Sequence, residues 1–192
     1  MNNFAKKLLE SYKGIGIEVF IDDANIFHSQ KETSMWIDWE KFNNFLKSNF
    51  KIQFIKYYRG KYPKNIPESV EASAKNEHFI NKLKNIDFEI VERDLKKIFL
   101  DSTKNKFIFK CDFDGEIGFD IAYFHKPKNL VIIVSGDSDF VFVKTKNINC
   151  IFVCFEYKAP WEIRHSQHIF IEDIYPTIKK APLKSGVNIT KI

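Results

Sequence analysis

Residues 129–134, NLVIIV, constrain this chain more than any other segment. Behind its leading asparagine the run is unbroken apolar, and it stops at Ser135-Gly136. A half-exposed strand would alternate polar and apolar residues. An unbroken run of this length predicts a strand covered on both faces, as in a parallel sheet flanked by helices. Two more runs read the same way, IGIEVFI at 15–21 and CIFVCF at 150–155. Between them lie segments with helical spacing. Residues 38–48 carry apolar groups at 39, 42, 45 and 46 behind Asp38, a suitable N-cap, and residues 68–84 and 115–125 also read as helices. KIQFIKYY (51–58) and IDFEIVE (86–92) read as strands, and 95–111 as a hairpin-like excursion around the turn-prone STKN. A short helix near 160–166 and a last strand near 168–171 complete the series. Strands alternating with helices predict an α/β three-layer αβα fold with a mostly parallel central sheet.

A chain of 192 residues is long enough to bury a core, and the expectation is a single domain over 1–192. Its core spans about 15–173, preceded by a short amphipathic helix and followed by a loosely held tail after Pro176. Twenty Phe against 7 Gly suit a packed interior, and 44% hydrophobic with 29% charged residues excludes a disordered chain. No apolar run approaches the ~20 residues needed to cross a bilayer. The first residues lack the features of a signal peptide. With only three cysteines the expected setting is cytoplasmic and reducing. Cys150 and Cys154 share one strand face and read as buried core thiols. The net charge of +5 favours polyanion partners only weakly, but lysines crowd 96–110 while acids gather at strand ends.

In an open parallel sheet, sites form beyond the carboxyl ends of the strands. The first strand ends in FIDDAN and the strand at 129–134 in SGDSDF, and the helix between carries GFD. If the two strands are neighbours, Asp22, Asp120, Asp137 and Asp139 can converge. Carboxylates brought together repel, and a hard divalent cation with oxygen ligands relieves that repulsion. Each acid alone has a plainer reading. Asp22 or Asn25 could cap a helix after the strand, Asp137 or Ser138 could cap the next one, and Asp120 could face solvent.

At FIDDAN, GFD and SGDSDF the chain resembles the NYN domain family, specifically LabA/DUF88-like proteins within the PIN-like nuclease superfamily. The resemblance covers roughly 15–173, and its weight comes from three separated motifs in order. It implies a PIN-like (Rossmannoid) fold, dependence on Mg²⁺ or Mn²⁺, and cleavage of RNA to 5′-phosphate and 3′-hydroxyl ends. The family's aspartate and asparagine after the first strand correspond to Asp22 and Asn25, its helix aspartate to Asp120, and the aspartates of the last motif to Asp137 and Asp139. Two departures stand out. The family's helix motif often reads Lys-Gly-Val-Asp, whereas here Ile117 occupies the lysine position, and Asp23 stands where Gly is common.

On this reading the chain is a metal-dependent endoribonuclease. Asp22, Asp120 and Asp137 hold the metal, and Asp139 holds a second ion or orients the attacking water. Asn25 hydrogen-bonds substrate or steadies Asp22, while Ser135 and Ser138 shape the loop or donate to phosphate. Glu116 is an additional acid that either joins the site or sits on a solvated helix start. The RNA-contacting candidates are Arg59 beside Tyr57 and Tyr58, and the lysines 96, 97, 104, 106 and 110, with Lys104 and Lys106 foremost. Trp36 could stack on RNA, Trp39 reads as core, and His28 lies close enough to FIDDAN to reach the site. The expected partners are RNA and no membrane, with a homodimer left open. One alternative is a catalytically inactive NYN-fold RNA-binding or regulatory module. A phosphoacceptor receiver or a DxD phosphatase fits poorly, because Ala24 stands where the phosphatase needs an aspartate.

Overall fold

The computed structural model describes residues 3–62, 70–101 and 106–181, with the side chains of 70–75, 101 and 106 excepted. Helix α1 (Asn3–Ser11) leads into β1 (Gly16–Asp22), α2 (Asp23–Thr33), α3 (Trp39–Asn49) and β2 (Lys51–Lys61). Then come α4 (Val70–Lys84), β3 (Phe88–Asp94), β4 (Lys96–Asp101), β5 (Lys106–Lys110) and α5 (Asp114–Phe124). The chain continues through β6 (Leu130–Val134), a 3₁₀ turn at Ser138–Val141, α6 (Phe142–Thr145) and β7 (Cys150–Cys154). A second 3₁₀ turn (Glu156–Lys158) leads to α7 (Trp161–Arg164), β8 (His168–Phe170) and α8 (Ile171–Ile178).

Six strands form one sheet in the order β3-β2-β1-β6-β7-β8, and every pairing within it is parallel. The apolar runs account for the middle of the sheet, since β6 and β7 are buried along their whole length. The strands are covered on both sides, giving the three-layer PIN-like arrangement. On one side Ile17, Val19, Ile21 and Tyr57 belong to a core that includes Leu9 of α1, Trp39, Phe42 and Leu46 of α3 and Ile174 of α8. On the other, Phe20, Tyr58, Ile133 and Phe152 pack with Ile117 and Ile121 of α5, Val143 of α6 and Ile163 of α7. Trp39 is core, as its helical spacing predicts. Cys150 and Cys154 are buried free thiols, and burial pushes them up to about 11 and about 12, leaving little thiolate.

Two buried polar groups sit where the apolar pattern is interrupted. Glu18, in mid-β1, is fully buried and accepts from the Lys126 N–H (3.0 Å) and Asn129 Nδ2 (2.7 Å), with His125 Nδ1 2.9 Å away. It therefore fastens the turn between α5 and β6 to the neighbouring strand. Lys56 of β2 reaches Asp120 of α5 at 2.8 Å, and the Tyr58 hydroxyl donates to the same carboxylate oxygen at 2.6 Å. This pins the middle of α5 to the sheet.

The hairpin-like excursion is an antiparallel pair, β4 with β5, separate from the main sheet. The expectation of a loose tail after Pro176 needs correcting at its start. Helix α8 runs on to Ile178, which is fully buried, and the Asp38 N–H donates to the Ile178 carbonyl at 2.8 Å. Among the described residues no helix is long and apolar enough to cross a membrane.

Candidate active site at the carboxyl edge of the sheet

Strands β1 and β6 are neighbours, with Ile21 opposite Val134, so FIDDAN and SGDSDF leave the sheet side by side. Asp22 is the N-cap of α2, and its Oδ1 accepts from the Asn25 N–H at 3.3 Å. Ser135 is fully buried. Its hydroxyl donates to Asp22 Oδ2 at 3.0 Å and accepts from the Asp137 N–H at 3.2 Å. Asn25 Oδ1 accepts from the Gly136 N–H at 2.9 Å. Asn25 and Ser135 thus tie the two loops together and fix Asp22 against Asp137. Asp137 in turn caps the 3₁₀ turn, accepting from the Asp139 N–H at 2.9 Å. The capping and site readings of these acids are therefore compatible, since Asp137 caps through Oδ1 alone and each oxygen of Asp22 accepts a single hydrogen bond and keeps a lone pair. Ser138 opens the 3₁₀ turn.

The acid that meets Asp137 and Asp139 is Asp114 rather than Asp120. Asp114, the first residue of α5, has a carboxylate oxygen within 4.8 Å of oxygens from Asp137 and Asp139. Asp120 lies six positions further along the helix, about 9 Å down its axis at 1.5 Å per residue. It is held there by Lys56 and Tyr58, so the structure does not bring it to the edge with Asp22 and Asp137. The reason is direction. Because α5 descends from the carboxyl edge toward the start of β6, only its first turn can reach the site. Ile117, read as the missing lysine position, is a core residue. Glu116 pairs with Arg93, whose guanidinium also donates to the Asp112 carbonyl, which anchors the start of α5.

The electrostatics are those of crowded acids. Burial raises the Asp22 carboxyl above its ordinary value, and the Asp23 and Asp137 carboxylates add to the effect against hydrogen bonds from Asn25 and Ser135. Asp114 is pushed up to about 7, first by burial and then by its hydrogen bond to Asp112 and the charges of Asp112, Asp137 and Asp22. Asp112 is lowered, chiefly because the Asp114 N–H donates to its Oδ1 at 3.1 Å. Asp112 and Asp114 titrate as a pair, with Asp114 the member that holds its proton more tightly. Asp23 is half-buried, desolvation raises its carboxyl, and it accepts from the Tyr57 hydroxyl at 2.5 Å. An oxygen-only donor set whose members resist ionising beside one another fits a hard divalent cation.

These acids open onto a cleft of roughly 990 Å³. Asp22, Asp23, Asp112, Asp114 and Asp137 line it. Phe27, His28 and Trp36 also line it, as do Ile108, Phe109 and Lys110 of the hairpin. Arg59 lines it as well. Lys104 lies outside the described residues, and Lys106 starts β5 with its side chain outside them. Lys56, Asp112 and Asp114 were not singled out from sequence. The interior lysine of KIQFIKYY and the Asp-x-Asp just before the α5 pattern were the available signals.

A parallel-sheet α/β domain with carboxylates gathered at the strand ends is the architecture of the PIN-like nuclease superfamily. The NYN domain family within it matches this chain over residues 16–172, and the chain belongs to that family. A crystal structure of a protein of unknown function from Vibrio parahaemolyticus has the same fold, with a TM-score of 0.64 at 18% identity, over 88% of this chain and 98% of that one. A search of curated proteins finds no match.

Proposed function

We propose that this protein is a metal-dependent endoribonuclease that hydrolyses RNA phosphodiester bonds at the carboxyl edge of the sheet. The observation that carries the reading is the meeting of Asp114, Asp137 and Asp139 within 4.8 Å, beside a half-buried Asp22, in an NYN domain. Asp22, Asp114 and Asp137 are the ligands proposed for Mg²⁺ or Mn²⁺. A bound ion of this kind supplies an activated water and a positive charge opposite the reacting phosphate. Asp139, the most exposed of the set, orients the attacking water or helps hold a second ion. Ser135 and Asn25 position Asp22 and Asp137 and keep them from turning away, a role supported by their hydrogen bonds to both loops. Asp120 positions α5 and holds no ion in this reading. The free cysteines fit a reducing, cytoplasmic setting.

The test is cleavage of a labelled RNA in Mg²⁺ and in Mn²⁺ by wild-type protein and by Asp137→Asn. Cleavage by the wild type and its loss in a folded variant support the reading. Equal cleavage by a pure preparation of the variant refutes the assignment. RNA that is bound but left intact in both ions would replace this reading with that of a binding module.

A further inference from the structure

Helix α5 carries large apolar side chains on the side that its packing against the sheet does not use. Ile117 and Ile121 belong to the core and are each 1% exposed. Phe119 and Tyr123 are 67% and 71% exposed, one helical turn apart, with their rings stacked at 5.9 Å. Phe124, 38% exposed, meets Tyr123 edge to face at 4.9 Å. Phe142 of α6 is 44% exposed and lies over Gly118, where an added Cβ would stand 3.1 Å from its Cζ. The four rings therefore make one patch across α5 and α6. Exposed rings scattered singly are ordinary, but a helix that is apolar on both sides is one that something else covers.

Area and charge together say what covers it. An aromatic side chain buries about 200 Å², so these four leave roughly 400 Å² of aromatic surface in water. A stable interface takes about 800 Å² from each partner and is rather more than half apolar, so the patch supplies nearly the whole apolar share of one. The cation over these rings among the described residues is Lys56, which is buried and tied to Asp120, so a polyanion finds no partner at the centre of the patch. Charge is instead divided along the helix. Asp112, Asp114 and Glu116 stand at its start, where Arg93 meets Glu116 and leaves it 41% exposed. Lys126 and Lys128 follow its end and are exposed. A surface that is acidic at one end, basic at the other and aromatic between is complementary to itself turned end for end.

We infer that the chain forms a two-fold symmetric dimer through this face, with α5 of one copy lying antiparallel to α5 of a second. Phe119 and Tyr123 stand equally far from Ile121 along the chain, and so do Glu116 and Lys126. An axis at the level of Ile121 therefore sets Phe119 against Tyr123 of the second copy and Glu116 against its Lys126, with the helix dipoles opposed. Because α5 starts at the carboxyl edge of the sheet, the two acidic edges then open in opposite directions. The inference stands apart from the nuclease reading, since association is measured without metal or RNA.

The experiment is sedimentation equilibrium of the full chain in EDTA over a range of concentrations. The wild type should reach twice the chain mass of 22.7 kDa. Phe119→Asp and Tyr123→Lys should each raise the dimer Kd about a hundredfold or more, because each sets a charge against a ring in the interface. Both should keep the wild-type far-UV circular dichroism. An equimolar mixture of the two variants should associate about tenfold or more tightly than either alone, because the introduced charges meet in one contact while the Phe119–Tyr123 contact survives in the other. Lys126→Glu, which faces Glu116 with a like charge, should weaken the dimer about tenfold, and more at low salt. A wild type that stays monomeric at high micromolar concentration overturns the inference and leaves the face to a different protein. A dimer that survives both ring variants overturns the surface, and a mixture no tighter than its components overturns the antiparallel register. If a ring variant fails to fold, Lys126→Glu decides, and a dimer unmoved by it overturns the inference.

Discussion

Replacing Asp120 with Asn separates the two places an aspartate of α5 can serve. Its carboxylate takes the Lys56 ammonium at 2.8 Å and the Tyr58 hydroxyl at 2.6 Å, and the Lys56 and Asp120 side chains are only 10% and 20% exposed. Removing one member of such a pair leaves the other charge stranded in a poorly hydrated place, which costs about 3 kcal/mol. In a chain of this length that corresponds to a fall in melting temperature of roughly 6–12 °C. The double variant Lys56→Met/Asp120→Leu removes both charges together and should recover most of the loss. Neither change should alter Mn²⁺ affinity per folded molecule, measured by isothermal titration calorimetry. Asp114→Asn should do the reverse. It keeps a donor for Asp112 and relieves crowding, so the fold holds while Mn²⁺ binding and cleavage are lost. If Asp120→Asn abolished Mn²⁺ binding with an unchanged melting temperature, the placement of these two acids would be wrong.

Ser135→Ala removes the hydroxyl shared by Asp22 and the Asp137 N–H, and should weaken Mn²⁺ binding about tenfold with little change in fold, as read by the same titration. The pH dependence follows from Asp114, whose carboxyl is raised from an ordinary 3.8 to about 7. Between those values the folded protein holds a proton that the unfolded chain has released, so metal-free stability contributed by this group falls as pH rises from 3.8 toward 7. Urea melts across that range should show the fall, and Asp114→Asn should flatten it. Mn²⁺ affinity should climb over the same window, because the ion displaces that proton. Glu18→Ala should cost about 3 kcal/mol by thermal melting, since it leaves the Lys126 N–H, Asn129 and His125 without their buried acceptor. A loss below about 1 kcal/mol would mean water replaces the carboxylate.

The strands carrying FIDDAN and SGDSDF were legible because two-sided burial leaves few polar residues in them. The loops they end in could be placed for the same reason, and Asp22, Asn25, Ser135 and Asp137 do meet. Asp120 was misplaced because helical spacing reports which face a residue occupies and says nothing of its height along the axis. Height depends on where the helix begins, and α5 begins at Asp114, behind a cap that makes no side-chain hydrogen bond. Helix α2 was legible only as a candidate cap. Its inward residues include Ser29 and Gln30, so the apolar pattern is weak, and Gln30 is buried because it accepts from the Ile37 N–H at 2.7 Å. Arg59 was legible as a strand-end cation. That its guanidinium is buried beside Glu92 and Phe79, with Nε and Nη1 lacking a hydrogen bond among the described residues, depends on distant parts of the chain.

Among the described residues the hairpin of β4 and β5 shares no ladder with the six-stranded sheet, yet residues 108–110 help line the cleft. Under the proposed function, hydrolytic chemistry and choice of target are housed in separable pieces of the chain. Selection could lengthen, recharge or exchange the hairpin without disturbing a single carboxylate, so related proteins that differ in what they cut would be expected to differ first there.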